Sequence, residues 1–141
     1  MLTDRDELVV HELSHRFSAY LRAQTGTVTL PLLGRQNAHW HAHMHTEGSV
    51  LGGHDFVQTG TNTFTVARRE VGLSPLDRYA MGLFSAAETR DAFFIRSMRT
   101  EEGFAIPAEA RLNVGTRVVG TRVDVPTADV VATSGPRSAD D

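Results

Sequence analysis

The 141-residue chain contains no cysteine and no lysine. The first absence excludes disulfides, thiolate metal sites and a thiol nucleophile. The second leaves arginine to supply every basic side chain. With a formal net charge of -3 and no basic cluster, general affinity for nucleic acid is not expected. No run of about eighteen apolar residues occurs, so no transmembrane helix is expected. The opening Met-Leu-Thr-Asp-Arg-Asp-Glu-Leu is charged from its start and does not read as a signal peptide. Hydrophobic residues at 40% and charged residues at 22% give an ordinary globular balance, which excludes wholesale disorder. The length suits one domain with a modest core. Histidine is the anomaly. All 7 lie between His11 and His54, so the commonest protein metal ligand is crowded into the first part of the chain.

Thr3 and Asp6 have the spacing of a capping box, and Val9, Leu13, Phe17 and Tyr20 or Leu21 recur at helical spacing. Gly26 has the place of a C-terminal glycine, and the pattern predicts an amphipathic helix over 4–24. Leu8, Leu13 and Phe17 are its expected core contacts. Residues 27–33 are β-branched and apolar, with Pro31 limiting them to an edge or irregular strand. Extended, 39–45 would place His39, His41, His43 and His45 on one face, opposite Trp40, Ala42 and Met44. Phe56-Val57 and 63–66 read as a hairpin with a longer loop. Ser74-Pro75 starts a short helix running to about Phe84. A further short helix is expected near 86–92, a buried strand at 93–95, and a last helical turn at 127–132. The near-copies Val-Gly-Thr-Arg-Val at 114–118 and 119–123 suggest short strands or a turn pair.

His11-Glu12-Leu13-Ser14-His15 is an HExxH sequence. Two histidines four apart project from one helical face, so both imidazoles reach a single ion. Glu12 stands beside that ion, where a carboxylate can take a proton from metal-activated water. The competing reading is an exposed i,i+4 histidine pair with no metal. The motif's position inside a capped helix favours metal binding. A catalytic zinc needs a third protein ligand and leaves its fourth position to water.

On these residues the chain resembles the zincin metalloproteases. More narrowly, it resembles a group of bacterial zincin-like proteins. They share an HExxH helix, a His-Trp pair, a Gly-Gly and hairpin segment, and a Ser-Pro-Leu-Asp-x-Tyr-x-Met-Gly-Leu block. Here these are 11–15, His39-Trp40, 49–64 and 74–83, with 130–137 also alike. The resemblance implies an α+β, zincin-like domain over 1–133, followed by a flexible tail at 134–141. In it the HExxH helix packs on a small, mainly antiparallel sheet with a short second helix. It also implies a Zn²⁺ cofactor, a peptide or protein substrate, a chain that spans part of a longer protein, and a secreted parent.

The third ligand stays open. The metzincin pattern would want Gly and His or Asp where Ser18 and Leu21 stand, and the gluzincin glutamate string is absent. The aspzincin pattern is met loosely by Asp77, with Tyr79 displaced by a residue. Asp77 ranks first and His39 second, although Asp77 also suits a capping role behind Ser74. His41, His43 and His45 are candidates for an adventitious surface metal site. Met81 has the look of a methionine turn but suits a core position better, and Tyr79 and His54 are weaker candidates for oxyanion donors. The expected function is a zinc-dependent peptidase with Glu12 as general base. A metal-binding module without catalysis, or a degenerate peptidase fragment, is the alternative, and a domain with an accidental motif is the third reading.

Overall fold

The computed structural model describes residues 3–17 and 20–137. Thr3 opens helix α1 (Asp4–Ser14) with the expected capping box: the Asp6 amide donates to Thr3 Oγ1, and the Thr3 amide donates to Asp6 Oδ2. A two-stranded hairpin follows, β1 (Ala23–Thr25) and β2 (Val28–Leu30). The main sheet contains β3 (Trp40–His45), β4 (Gly52–His54), β5 (Phe56–Gly60), β6 (Thr63–Val66), β7 (Ala92–Thr100) and β8 (Arg117–Val125). Its order is β4-β3-β7-β8-β6-β5, with every pair antiparallel except β3 with β4. Helices α2 (Pro75–Ala80) and α3 (Thr127–Ser134) complete the described elements. The chain therefore has the expected α+β class, with a mainly antiparallel sheet. No described helix is long and apolar enough to cross a membrane.

The core falls into two clusters. Trp40, Met44 and Phe94 join Leu21, Leu30, Leu32, Leu51, Leu76 and Tyr79 in one. Phe56, Phe64, Phe93, Ile95, Ile106 and Val118 form the other. A Gly34 side chain would meet the Ala108 carbonyl at 2.6 Å, so only glycine lets the segment ahead of β3 approach 105–112 this closely.

Several expectations are corrected. The first helix ends at Ser14, with His15 as its cap, and not at residue 24. Leu21 and Ala23 are drawn into the core beside α3, where the Arg22 amide donates to Ser134 Oγ. Gly26 turns the β1–β2 hairpin instead of ending a helix. Nor do Leu8, Leu13 and Phe17 pack on the domain: they are 61%, 60% and 45% exposed, and Ser14 is the buried residue of α1.

Residues 86–92 form a turn leading into β7 and no helix. The near-copies at 114–123 form a turn and then one continuous strand, since β8 pairs on both sides with β6 and β7. The hairpin loop at 58–62 is tighter than expected because β5 continues to Gly60 and Asn62 turns with φ of 58°. Ser134 closes α3, and the end of the expected tail, 138–141, lies outside the described residues, as does Ser18.

Candidate metal centre

Helix α1 presents His11 and His15 to the start of β3, where His39 meets them. The Nε2 atoms of His11 and His15 lie 3.0 Å apart, and those of His11 and His39 lie 3.2 Å apart. All three ligand nitrogens fall within 4.8 Å of one another. A tetrahedral ion bound at about 2.0–2.1 Å separates its nitrogens by about 3.3 Å, close to this arrangement.

The backbone fixes which nitrogen points inward. The loop before β4 is pinned by Val50 N donating to the Gly72 carbonyl (2.7 Å) and Trp40 N donating to the Leu51 carbonyl (2.9 Å). That leaves the Val50 carbonyl to accept from His11 Nδ1 at 2.9 Å. His39 Nδ1 likewise donates to the Arg35 carbonyl at 3.0 Å. Each neutral ring carries one proton, and both rings have committed theirs to a carbonyl. Their Nε2 lone pairs therefore face the same space, 3.2 Å apart, where His39 Nε2 accepts from Arg35 Nη2 at 2.9 Å. Burial pushes the pKa of His39 down; the hydrogen bond to the Arg35 carbonyl opposes this in part, and the charges of Arg35, His15 and His11 add to it. Carbonyl contacts of this kind are what orients imidazoles in metal sites generally. His15 Nδ1 is buried without a hydrogen-bond partner among the described residues. The donor set, three imidazole nitrogens within 4.8 Å of one another beside the groove, fits Zn²⁺.

Glu12 is exposed and lines the same groove as His11 and His39, a cavity of about 610 Å³. The groove continues past Gly52, Gly53, His54 and Asp55 to residues 108–112.

Asp77, ranked first in sequence as the third ligand, is not among the converging residues. It is fully buried, and its carboxylate serves another purpose. Oδ1 accepts from Trp40 Nε1 at 2.8 Å, and Oδ2 accepts from Ser74 N and Ser74 Oγ, both at 2.9 Å. Asp77 thus closes the capping box of α2 and ties that helix to Trp40, the neighbour of His39. This gives the His39-Trp40 pair and the Ser74-Pro-Leu-Asp block one physical purpose. Trp40 is anchored by Asp77 on the core side, while the adjacent His39 meets His11 at 3.2 Å.

The remaining histidines do not form a surface metal site. His41 and His43 are buried, their rings 4.4 Å apart, and His45 stacks on Phe93 at 4.5 Å. His41 Nδ1 accepts from the His43 amide, His43 Nε2 donates to the Ile106 carbonyl, and His45 Nδ1 accepts from the Phe56 amide. Burial pushes the pKa of His41 down to about 4, helped by the charge of His43, and lowers those of His43 and His45. His54 donates from Nδ1 to the Ala42 carbonyl and accepts at Nε2 from the Leu112 amide. That pair of bonds requires the neutral ring, and burial again lowers its pKa. His54 is thus a groove-wall residue that pins 105–112, with both nitrogens engaged.

Tyr79 is buried in the core with its hydroxyl donating to the Gly135 carbonyl, and Met81 caps α2. Sequence reading missed Arg35 and Arg69, which also line the groove. Arg69 Nη1 donates to the carbonyls of Gly52 and Gly53. Only the adjacency of Arg35 to Gly34 and of Arg69 to a Gly-flanked loop hints at either. Comparison of the chain with protein-family models, curated proteins and solved structures finds no match.

Proposed function

We propose that this chain carries a zinc-dependent, zincin-like peptidase site in which His11, His15 and His39 hold the ion and Glu12 is the general base. The carrying observation is the convergence of three imidazole Nε2 atoms at the edge of a groove that Glu12 shares. Zn²⁺ held there supplies Lewis acidity, polarising a peptide carbonyl and bringing the pKa of water to roughly 7. Glu12, one residue beyond His11 on an exposed helical turn, accepts the proton of the attacking water and returns it to the leaving amine. Val50 and Arg35 hold the imidazoles in the tautomer that aims Nε2 at the groove. Asp77 works at one remove through Trp40, as a positioning residue for His39.

Glu12→Gln tests this directly. The variant is expected to keep one equivalent of zinc and to lose hydrolysis of casein or of a quenched fluorescent peptide library by at least a hundredfold, the usual scale of general-base catalysis. Cleavage at the parent rate would refute the mechanism.

A second reading, a metal-binding module without catalysis, has its own support. Peptidase substrates add a strand along a sheet edge, which needs free backbone acceptors. On the edge strand β4 the acceptors are in use. The Gly52 carbonyl takes Thr46 Oγ1 and Arg69, the Gly53 carbonyl takes Arg69, and the His54 carbonyl takes the Thr46 amide. Zinc bound at one equivalent, with no cleavage of any substrate by the parent chain, would favour this reading.

A further inference from the structure

At the candidate centre a guanidinium stands where an ion would bind. Arg35 Nη2 donates to His39 Nε2 at 2.9 Å, and that nitrogen has one lone pair because its ring proton is committed to the Arg35 carbonyl. A metal ion and Arg35 cannot use that lone pair together. The Arg35 side chain is exposed, makes no ion pair among the described residues, and lines the groove together with Glu12. Arg69, by contrast, is half-buried and engaged with the Gly52 and Gly53 carbonyls. Metal binding at the triad therefore releases one specific cation, Arg35, at the mouth of the groove.

We propose that Arg35 is a metal-gated anion-positioning residue. It occupies the His39 lone pair while the triad is empty. Once an ion takes that lone pair, its guanidinium turns to the groove and holds an anionic oxygen of the ligand, namely the scissile carbonyl oxygen as it gains charge. A guanidinium suits this task because it stays charged and offers several donors in a fixed plane. The turn that carries it is unusual: Gln36 and Asn37 both have positive φ, 58° and 51°, which places the Arg35 carbonyl under His39 Nδ1 and its side chain over Nε2. This inference rests on the metal-site reading above.

The two roles give opposite signs, which a merely structural role would not. Removing the guanidinium removes a charge-assisted hydrogen bond that competes with the ion, so Arg35→Ala and Arg35→Gln are each expected to bind Zn²⁺ about tenfold more tightly in a chelator competition. The same variants, loaded with zinc, are expected to bind the probe acetohydroxamate about tenfold more weakly by calorimetry. Unchanged or weaker zinc affinity, or unchanged acetohydroxamate affinity, would overturn the assignment of Arg35. Zinc that fails to bind the parent chain, or that binds His11→Ala equally well, would instead remove the metal-site reading beneath it.

Discussion

If the triad holds zinc as proposed, removing the ion should loosen α1 before any other described element. The helix has 11 residues, short enough to be marginal on its own. Its apolar side chains at positions 8, 9 and 13 are 61%, 65% and 60% exposed, so burial contributes little to holding it. What joins it to the rest of the fold is His11 Nδ1 on the Val50 carbonyl and the contacts of the His11 and His15 rings with His39. One such hydrogen bond contributes about 1 kcal/mol. An ion shared by the three rings adds RT ln(1 + [M]/Kd), about 2.7 kcal/mol at a hundredfold excess over Kd. Opening of α1 separates His11 and His15 from His39 and forfeits that gain. Amide hydrogen exchange in α1 is therefore expected to slow about a hundredfold on zinc loading under those conditions. Amides in the β7–β8 ladder, whose local openings leave the ligand set intact, should change less. His15→Ala should abolish the effect. If one equivalent of zinc binds and α1 exchanges at the same rate with and without it, the helix is not clamped through these ligands and the reasoning fails.

Other outcomes follow from the surroundings of the centre. Asp77→Ala removes a charge-assisted bond to Trp40 and a helix cap, so urea denaturation should show a loss of about 2–4 kcal/mol while one zinc per chain is retained. Loss of zinc at unchanged stability would instead return Asp77 to the ligand set. Stability should also fall in acid. Folding keeps His41, His43, His45 and His54 neutral with lowered pKa values, whereas the unfolded chain binds their protons from about 6.5 downward. Their contribution is thus fully present above that pH and is lost progressively as pH falls toward the folded value, about 4 for His41. For His41 alone the loss is about 2 kcal/mol after allowance for solvent screening. Urea midpoints of chelated protein that stay level between pH 7 and 4.5 would contradict this.

The parts legible in the sequence were those governed by neighbours in the chain. Both capping boxes, Thr3 with Asp6 and Ser74 with Asp77, appear where their spacing places them. The HExxH turn brings two imidazoles together because i and i+4 share a helical face. What could not be read depends on distant packing. The helical spacing at Phe17, Tyr20 and Leu21 gives no sign that Leu21 and Ala23 belong to the core beside α3 while α1 ends at Ser14. Period-two alternation made one set of His39, His41, His43 and His45. The fold separates them, because Ile106 and Leu112 cover the strand beyond His39 and supply backbone partners to His43 and His54. The preference for Asp77 over His39 could not weigh Trp40, whose indole proton needs a buried acceptor and finds it 37 residues along the chain.

X-ray absorption at the zinc edge, on the parent chain and on His39→Ala, tests the central claim most directly. The account predicts one zinc per chain with three imidazole nitrogens at about 2.0–2.1 Å, and one imidazole fewer, or no zinc, in the variant. A coordination sphere completed by a carboxylate, or an imidazole count that His39→Ala leaves unchanged, would contradict it.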